Sequence, residues 1–514
     1  MKFSEYLPFK KHIMNKKAIK FALMLPVAAA LAVSCADDGF SPEDWETSVQ
    51  NAQLSNPTGI TISKTSTSDT TKTVVINWNV VHGAGGYHVT VTNISDPAAA
   101  YDVVTDSLVD RCSFVWILPN EETYNFIIRT AANAKVGNKQ AEEVSITKFD
   151  TYVPSVEIPA GSEISSWMAD NLIDSDAEQG FLLTAGETYT LDGALDFRLN
   201  TVEFRGDKAN APTIIVGEEG RFVTQGGLKI RDVNIDCTNA NHTGLLALSP
   251  NPDSKLSTEA LGFKANGANQ DGYVIEKTVA FQNCKIKNLP KSLLWGSDVS
   301  WTLRDFRVVD CIVQMANTGT KPTINLTGAG NGLIQKLTIT GSTFYSTVRN
   351  ENECYFLRFT NASNAQPRKV LGDANNYLEW VIENSSFIRT NPKKDFANNI
   401  PNTQNDNKLW IRIKDCVFFD VYRLYQAIGT QWIKTTTGNF MSYSDFCSPT
   451  ETDYGPGGRT DKDGNFYTTL DEMPEFEDEQ LQELDFTKPL GGVNLKPADG
   501  SLADAVKSGD PRWY

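Results

Sequence analysis

Histidine is scarce in this chain, with four in 514 residues. None sits in an HExxH pattern, and no paired CxxC or Ser-His-Asp context accompanies them, which argues against a zinc hydrolase or a triad enzyme. A basic surplus is missing as well: Lys and Arg number 47 against 63 Asp and Glu, a formal charge of −16. Residues 1–34 hold six lysines and one glutamate, so the remainder carries −21, and no nucleic-acid partner is expected. Cysteine gives no disulfide framework, because the seven that follow Cys35 are odd in number and spread over several hundred residues. The apolar run Phe21 to Val33 is too short to span a bilayer.

That run still carries information. Lys16, Lys17 and Lys20 precede it and Ser34-Cys35 closes it, the basic, apolar and small order of a secretory signal. Ala32-Val33-Ser34-Cys35 resembles a bacterial lipobox, with Ala32 standing where leucine is more usual. The resemblance implies a signal peptide over 1–34 and lipidation at Cys35. Met14-Asn15-Lys16-Lys17 makes a tidier signal start than Met1, and both starts stay open. Asp37 and Asp38 resemble the surface-export signal of Bacteroidetes lipoproteins. The expected address is therefore the outer face of the outer membrane, through a lipid anchor.

About 480 mature residues exceed one ordinary core, so at least two domains are expected. Residues 35–54 are polar and acidic and read as a flexible tether, with order beginning near Asn56-Pro57. Short alternating strands follow at Val74–Trp78, Gly85–Val91 and Thr123–Ile128, the period-two pattern of a β-sandwich. Trp78, Tyr87 and Leu118-Pro119 leading into Thr123-Tyr124-x-Phe126 resemble fibronectin type III. In that resemblance Tyr124 is the tyrosine corner, its hydroxyl tied to nearby backbone. Residues 55–152 are thus expected to be a spacer or docking module.

A repeat governs residues 153–450. Six segments share apolar-x-apolar-x-(Asp, Asn or Gly)-(Cys, Ser or Val)-x-apolar, at Leu228, Val279, Phe306, Leu337, Trp380 and Ile411, with starts 51, 27, 31, 43 and 31 residues apart. A spacing near thirty suits one coil of a parallel β-helix, and the longer gaps leave inserted loops or an unresolved coil open. The apolar positions should point inward and stack. Asp232, Asn283, Asp310, Gly341, Asn384 and Asp415 fall where the chain must turn and are residue types that tolerate left-handed backbone. Beside them Val233, Cys284, Cys311, Ser342, Ser385 and Cys416 form a small-residue column, with Cys284 and Cys311 expected as reduced filler. A helix around Ser165 to Leu172 should cap the open end.

The succession Phe181–Leu191, Val202–Gly206 and Pro212–Ile215 resembles the opening coils of pectate-lyase-like β-helices. More narrowly, the whole resembles the DUF4957/DUF5123-type Bacteroidetes lipoproteins that join such a domain to a fibronectin-like module. Gly509-Asp510-Pro511-Arg512-Trp513 is similar to that group's C-terminal signature. The expected fold is all-β: a fibronectin type III-like β-sandwich, then a right-handed parallel β-helix of the pectin-lyase type, with residues 451–514 packing on or capping it.

A uronic-acid lyase needs Arg or Lys as base and a cation to neutralise the carboxylate, often calcium held by carboxylates on adjacent coils. The outward second and fourth repeat positions hold five basic residues, Lys229, Arg231, Arg307, Arg412 and Lys414, against one acidic, Glu383. No carboxylate cage is expected on this face, so no cofactor is expected, with calcium left open for a lyase. Asp461–Asn465 is oxygen-rich but lacks a downstream acidic ligand and reads as a hairpin turn. The basic stripe is either a solvated face or a grip for acidic polysaccharide. Trp295 and Trp301 flank a Gly-Ser-Asp turn and either stack on sugar rings or cover the core; Tyr425 and Trp432 pose the same choice. The preferred expectation is a non-catalytic surface protein binding plant cell-wall polysaccharide, possibly in concert with a glycan-uptake transporter. A polysaccharide lyase and a purely adhesive protein are the alternatives.

Overall fold

The computed structural model describes residues 49–67, 71–327, 332–359, 366–399, 409–424, 433–435, 437–447 and 481–514. The signal segment, Cys35, Asp37, Asp38, Tyr425, Trp432 and Asp461–Asn465 lie outside the described residues. The chain divides into two units, Met1–Tyr152 and Val153–Tyr514.

In the first unit seven strands form two antiparallel sheets: β1 (Thr61–Ser66), β2 (Thr71–Asn77), β3 (Tyr87–Asn93), β4 (Tyr101–Val109), β5 (Ser113–Pro119), β6 (Thr123–Thr130) and β7 (Ser145–Asp150). One sheet has the order β1-β2-β5 and the other β4-β3-β6-β7. Alternation along β2, β3 and β6 puts every second side chain into one core, where Trp78 meets Tyr87 edge-on at 5.3 Å and Phe126 at 5.7 Å. Two expectations are corrected here. The Tyr124 hydroxyl is buried with no hydrogen-bond partner, its ring stacked on Phe149; the tyrosine tied to backbone is Tyr87, whose hydroxyl accepts from Val81 N at 2.9 Å. Order also begins before residue 55. Val49 and Leu54 are buried, and Leu54 N donates to Lys139 O at 3.0 Å, because two apolar side chains in the acidic stretch find a surface to cover.

The second unit is a parallel β-helix built from three sheets of 11, nine and seven described strands. The first sheet runs through Ser155–Ile158, Gln179–Leu183, Val202–Arg205, Leu228–Arg231, Val279–Gln282, Trp301–Val309, Leu333–Thr340, Leu378–Glu383, Leu409–Lys414 and Ile433–Thr435, with Tyr273–Ile275 alongside Trp301–Val309. The second runs from Thr188–Leu191 to Phe440–Tyr443, and the third from Ala194–Asp196 to Ala397–Asn398. Every strand pair in them is parallel, as each coil returns the chain to the same sheet.

The repeat register is the one that the sequence pattern requires. Ile230, Phe281, Val308, Ile339, Ile382 and Ile413 pair in succession, and all six are fully buried. The strand at Leu228 pairs directly with that at Val279, and the strand at Leu337 with that at Trp380, so the long gaps are inserted loops rather than missing coils. Asp232, Asn283, Asp310, Gly341, Asn384 and Asp415 all have φ between 48° and 56°. At Gly341 a Cβ would lie 2.3 Å from Asp310 Oδ1, so a side chain there would require the Asp310 carboxylate to shift. The column beside them is sealed, its thiols unoxidised: Cys284 Sγ donates to Ile230 O at 3.4 Å and Cys416 Sγ to Lys414 O at 3.2 Å.

At the N-terminal end the helix Ile164–Asn171 buries Ile164 and Met168 against the first coil. Glu163 caps it, accepting from Ser166 N at 2.7 Å and Ser165 N at 3.2 Å. At the other end of the sequence, Leu484, Val493, Leu495 and Trp513 pack on Ile312, Tyr345 and Ile388, the outward face of the second sheet.

Candidate functional site

The five cations expected to grip a polyanion do lie outward on the first sheet, in two rows. Strand register places Lys229, Arg307 and Arg412 in one row, with Ala280, Thr338 and Val381 on the intervening strands. Arg231 and Lys414 stand in the other row, two residues on. Each has a carboxylate partner. Lys229 Nζ lies 3.1 Å from Glu178, Arg231 Nε 2.9 Å from Asp232, and Arg307 Nε 3.0 Å from Asp305. Arg412 pairs with Glu383, and Lys414 Nζ lies 3.1 Å from Asp415.

The sequence count missed these partners because most sit off the two repeat rows: before the strand (Glu178), one outward position earlier (Asp305), or in the turn ladder (Asp232, Asp415). One further strand back, Glu203 is fully buried on the same outward row, 3.3 Å from Arg205. The stripe is therefore a set of matched pairs. Lys229 and Arg231 are largely buried in theirs, with side chains 12% and 13% exposed, against 45% for Arg412 and Lys414.

The two tryptophans part company. Trp301 is fully buried; its indole N–H donates to Ser249 O at 2.9 Å and its ring packs on Tyr273. It covers core and has no face for a sugar. Trp295 ends the strand Ser292–Trp295 of the third sheet and is partly exposed. Its indole N–H donates to Asp298 at 3.3 Å, and Lys321 Nζ stands 5.0 Å from the ring centroid.

Trp295 borders a cleft of about 420 Å³ with Glu219, Arg221, Asn241, His242 and Asp298 among its walls. Gly244 makes room for it, since a Cβ there would meet the Trp295 Cβ at 2.4 Å. His242 is buried, and neither ring nitrogen has a hydrogen-bond partner. Burial first, then the nearby Arg221 and Lys291, push its pKa down to about 4, so the ring is neutral at ordinary pH.

From Trp295 a register row crosses the third sheet: Trp295 pairs with Asn325, Asn325 with Arg358, and Arg358 with Asn398. Nothing in the first-sheet repeat points to this row. Its strands are two to five residues long, too short for a period to show. Among the described residues, no three His, Cys, Asp or Glu side chains converge as a metal site.

Residues 10–189 match the family DUF4992, a domain of unknown function, and residues 187–347 match the Domain of unknown function (DUF4957). No curated protein matches the chain. Among solved structures the chain is similar to the pectate lyase PelI from Erwinia chrysanthemi in complex with tetragalacturonic acid, at 10% identity over 65% of this chain and 85% of that one, with a TM-score of 0.17. The β-helix assignment rests on the strand pairing itself. The segment matched by DUF4957 contains Lys229, Arg231, Trp295, Trp301 and Arg307 and ends before Arg358, Arg412 and Lys414.

Proposed function

We propose that this chain is a surface-exposed outer-membrane lipoprotein whose β-helix binds plant cell-wall polysaccharide without cleaving it and presents it to a neighbouring uptake transporter. The observation that carries the reading is the Trp295 cleft: a partly exposed indole beside a polar-walled depression on an otherwise regular sheet. An indole supplies apolar area for the face of a sugar ring, while Asn241, Asp298 and Arg221 supply donors and acceptors for its hydroxyls. The three-plus-four strand pairing of the first unit supports reading it as a fibronectin type III-like spacer between the lipid anchor at Cys35 and the β-helix. The matched charges of the first sheet shift the expected glycan contact from that sheet to the third.

The test is titration of the purified protein with de-esterified pectin and neutral plant glycans, followed by the same titrations on Trp295→Ala. Saturable binding that Trp295→Ala weakens about tenfold or more supports the reading. Binding that ignores the substitution overturns the cleft. Sustained formation of unsaturated, ultraviolet-absorbing products, with or without calcium, replaces the binding reading by a polysaccharide lyase. Absence of both binding and turnover leaves the adhesive alternative.

A further inference from the structure

We infer that Arg358 is a carboxylate-recognition subsite on the third sheet, selecting uronate over neutral sugar units in the bound glycan; the inference rests on the glycan-binding reading above. Arg358 differs from the five first-sheet cations in having no carboxylate within salt-bridge distance among the described residues. It is partly buried in the middle of the strand Leu357–Phe359, between the buried Leu357 and Phe359. Its Nε is sealed from solvent with no acceptor, and its guanidinium lies over the Tyr355 ring at 5.5 Å. An opposite charge brought by a ligand would give this cation the carboxylate partner that the five first-sheet cations already have.

Asn325, paired with Arg358 in register, is 2% exposed, and its Oδ1 has no donor. A donor lacking an acceptor and an acceptor lacking a donor thus stand on neighbouring rungs, about 4.8 Å apart. A uronate ring carries a carboxylate, and in a 1,4-linked chain its free hydroxyls stand on C2 and C3. It offers the anionic acceptor to the arginine. A neutral hexose brings no charge for the guanidinium. Trp295 stands two rungs away, about 9.6 Å along the stack of strands, which places an aromatic platform and a charge-reading group on one line parallel to the helix axis. A glycan lying along that line meets both.

The experiment is calorimetric titration of the purified protein and its Arg358→Gln, Arg358→Lys and Trp295→Ala variants with trigalacturonate and with galactotriose. Arg358→Gln should weaken trigalacturonate binding about tenfold or more while changing galactotriose binding by less than about twofold. Arg358→Lys should retain part of the preference, because it keeps the charge and loses the planar fork. Trp295→Ala should weaken both sugars alike. Equal losses for both sugars in Arg358→Gln, or no loss for either, overturn the subsite and leave the Trp295 reading standing. A selective loss in Arg358→Gln with no effect of Trp295→Ala does the reverse. Failure of the unsubstituted protein to bind either sugar overturns both. Unfolding is monitored by circular dichroism, and if Arg358→Gln does not fold, a fully retained uronate preference in Arg358→Met overturns the proposal.

Discussion

Asp510 holds Arg512 against the β-helix: the buried carboxylate accepts from Arg512 Nε at 2.9 Å, and the guanidinium donates to the carbonyls of Asp310 and Cys311 at 2.8 Å and of Gly341 at 2.9 Å. These carbonyls belong to two consecutive turns, and Asp310 and Gly341 are themselves left-handed ladder residues. Thr343 Oγ1 donates to Asp510 at 2.7 Å and accepts from the Trp513 indole at 2.8 Å. The C-terminal motif Gly509–Trp513 is thus a clasp across coils, which gives that sequence signature a structural cause. Arg512→Ala should destabilise the β-helix by about 3–5 kcal/mol, because it leaves the Asp510 carboxylate buried and without its cation. Chemical denaturation measures it; a loss below about 1 kcal/mol would show that the clasp is not coupled to the coils.

Phe281→Ala tests the interior stack. Phe281 is fully buried between Ile230 and Val308 on the flanking strands, and removing its ring should cost about 3–5 kcal/mol. A stability change under about 1 kcal/mol in equilibrium unfolding contradicts the packing described.

The stack was readable in sequence because two independent constraints repeat together. Apolar side chains recur at period two, and residues that accept φ near 50° follow at a fixed offset, so Asp232 through Asp415 fix the register of each first-sheet strand. The charge partners were not readable, since Glu178 and Lys229 are 51 residues apart and meet only through the coil. Trp301 misleads for a different reason. Its strand changes parity between Leu303 and Phe306, where Arg304 and Asp305 both face outward, so alternation counted back from Phe306 assigns the tryptophan to the wrong face. Arg358 sits in a three-residue strand with no pattern around it; its significance is the lack of a partner, which only the folded chain reveals.

His242 should make stability pH-dependent. Its folded pKa of about 4 lies below the ordinary 6.5, so between these values the unfolded chain binds a proton that the folded chain refuses. Stability is complete above pH 6.5 and falls as the pH drops towards 4, by up to about 3 kcal/mol. Arg221 and Lys291 oppose the proton, and Glu219 and Asp298 line the same cleft. His242→Gln should flatten this part of the stability–pH curve relative to the unsubstituted chain. Parallel curves for the two proteins would contradict the assignment.

Cys35→Ala addresses the address. If Ser34-Cys35 is the lipidation junction, the substitution should move the protein from the membrane fraction to the soluble one, while the β-helix keeps its circular dichroism. Among the described residues no helix is long and apolar enough to cross a membrane. Unchanged membrane retention of Cys35→Ala would remove the lipid anchor from the proposed function.

The first-sheet stripe yields the sharpest contrast with Arg358. Arg412 and Lys414 are its most exposed cations, and each already faces a carboxylate, Glu383 and Asp415. Exposed pairs of this kind contribute at most about 1 kcal/mol each, so the double replacement by Ala should leave the unfolding midpoint nearly unchanged. Its effect on acidic glycan is set by what the pairs present to solvent. A matched pair presents little net charge beyond about 8 Å at physiological ionic strength. Affinity for de-esterified pectin should therefore fall by less than about twofold in the double variant, and its salt dependence should match that of the parent. The Arg358→Gln variant should lose both affinity and part of the salt dependence, because there the ligand supplies the missing counter-charge. A large loss on replacing Arg412 and Lys414, with none at Arg358, would return the binding face to the first sheet.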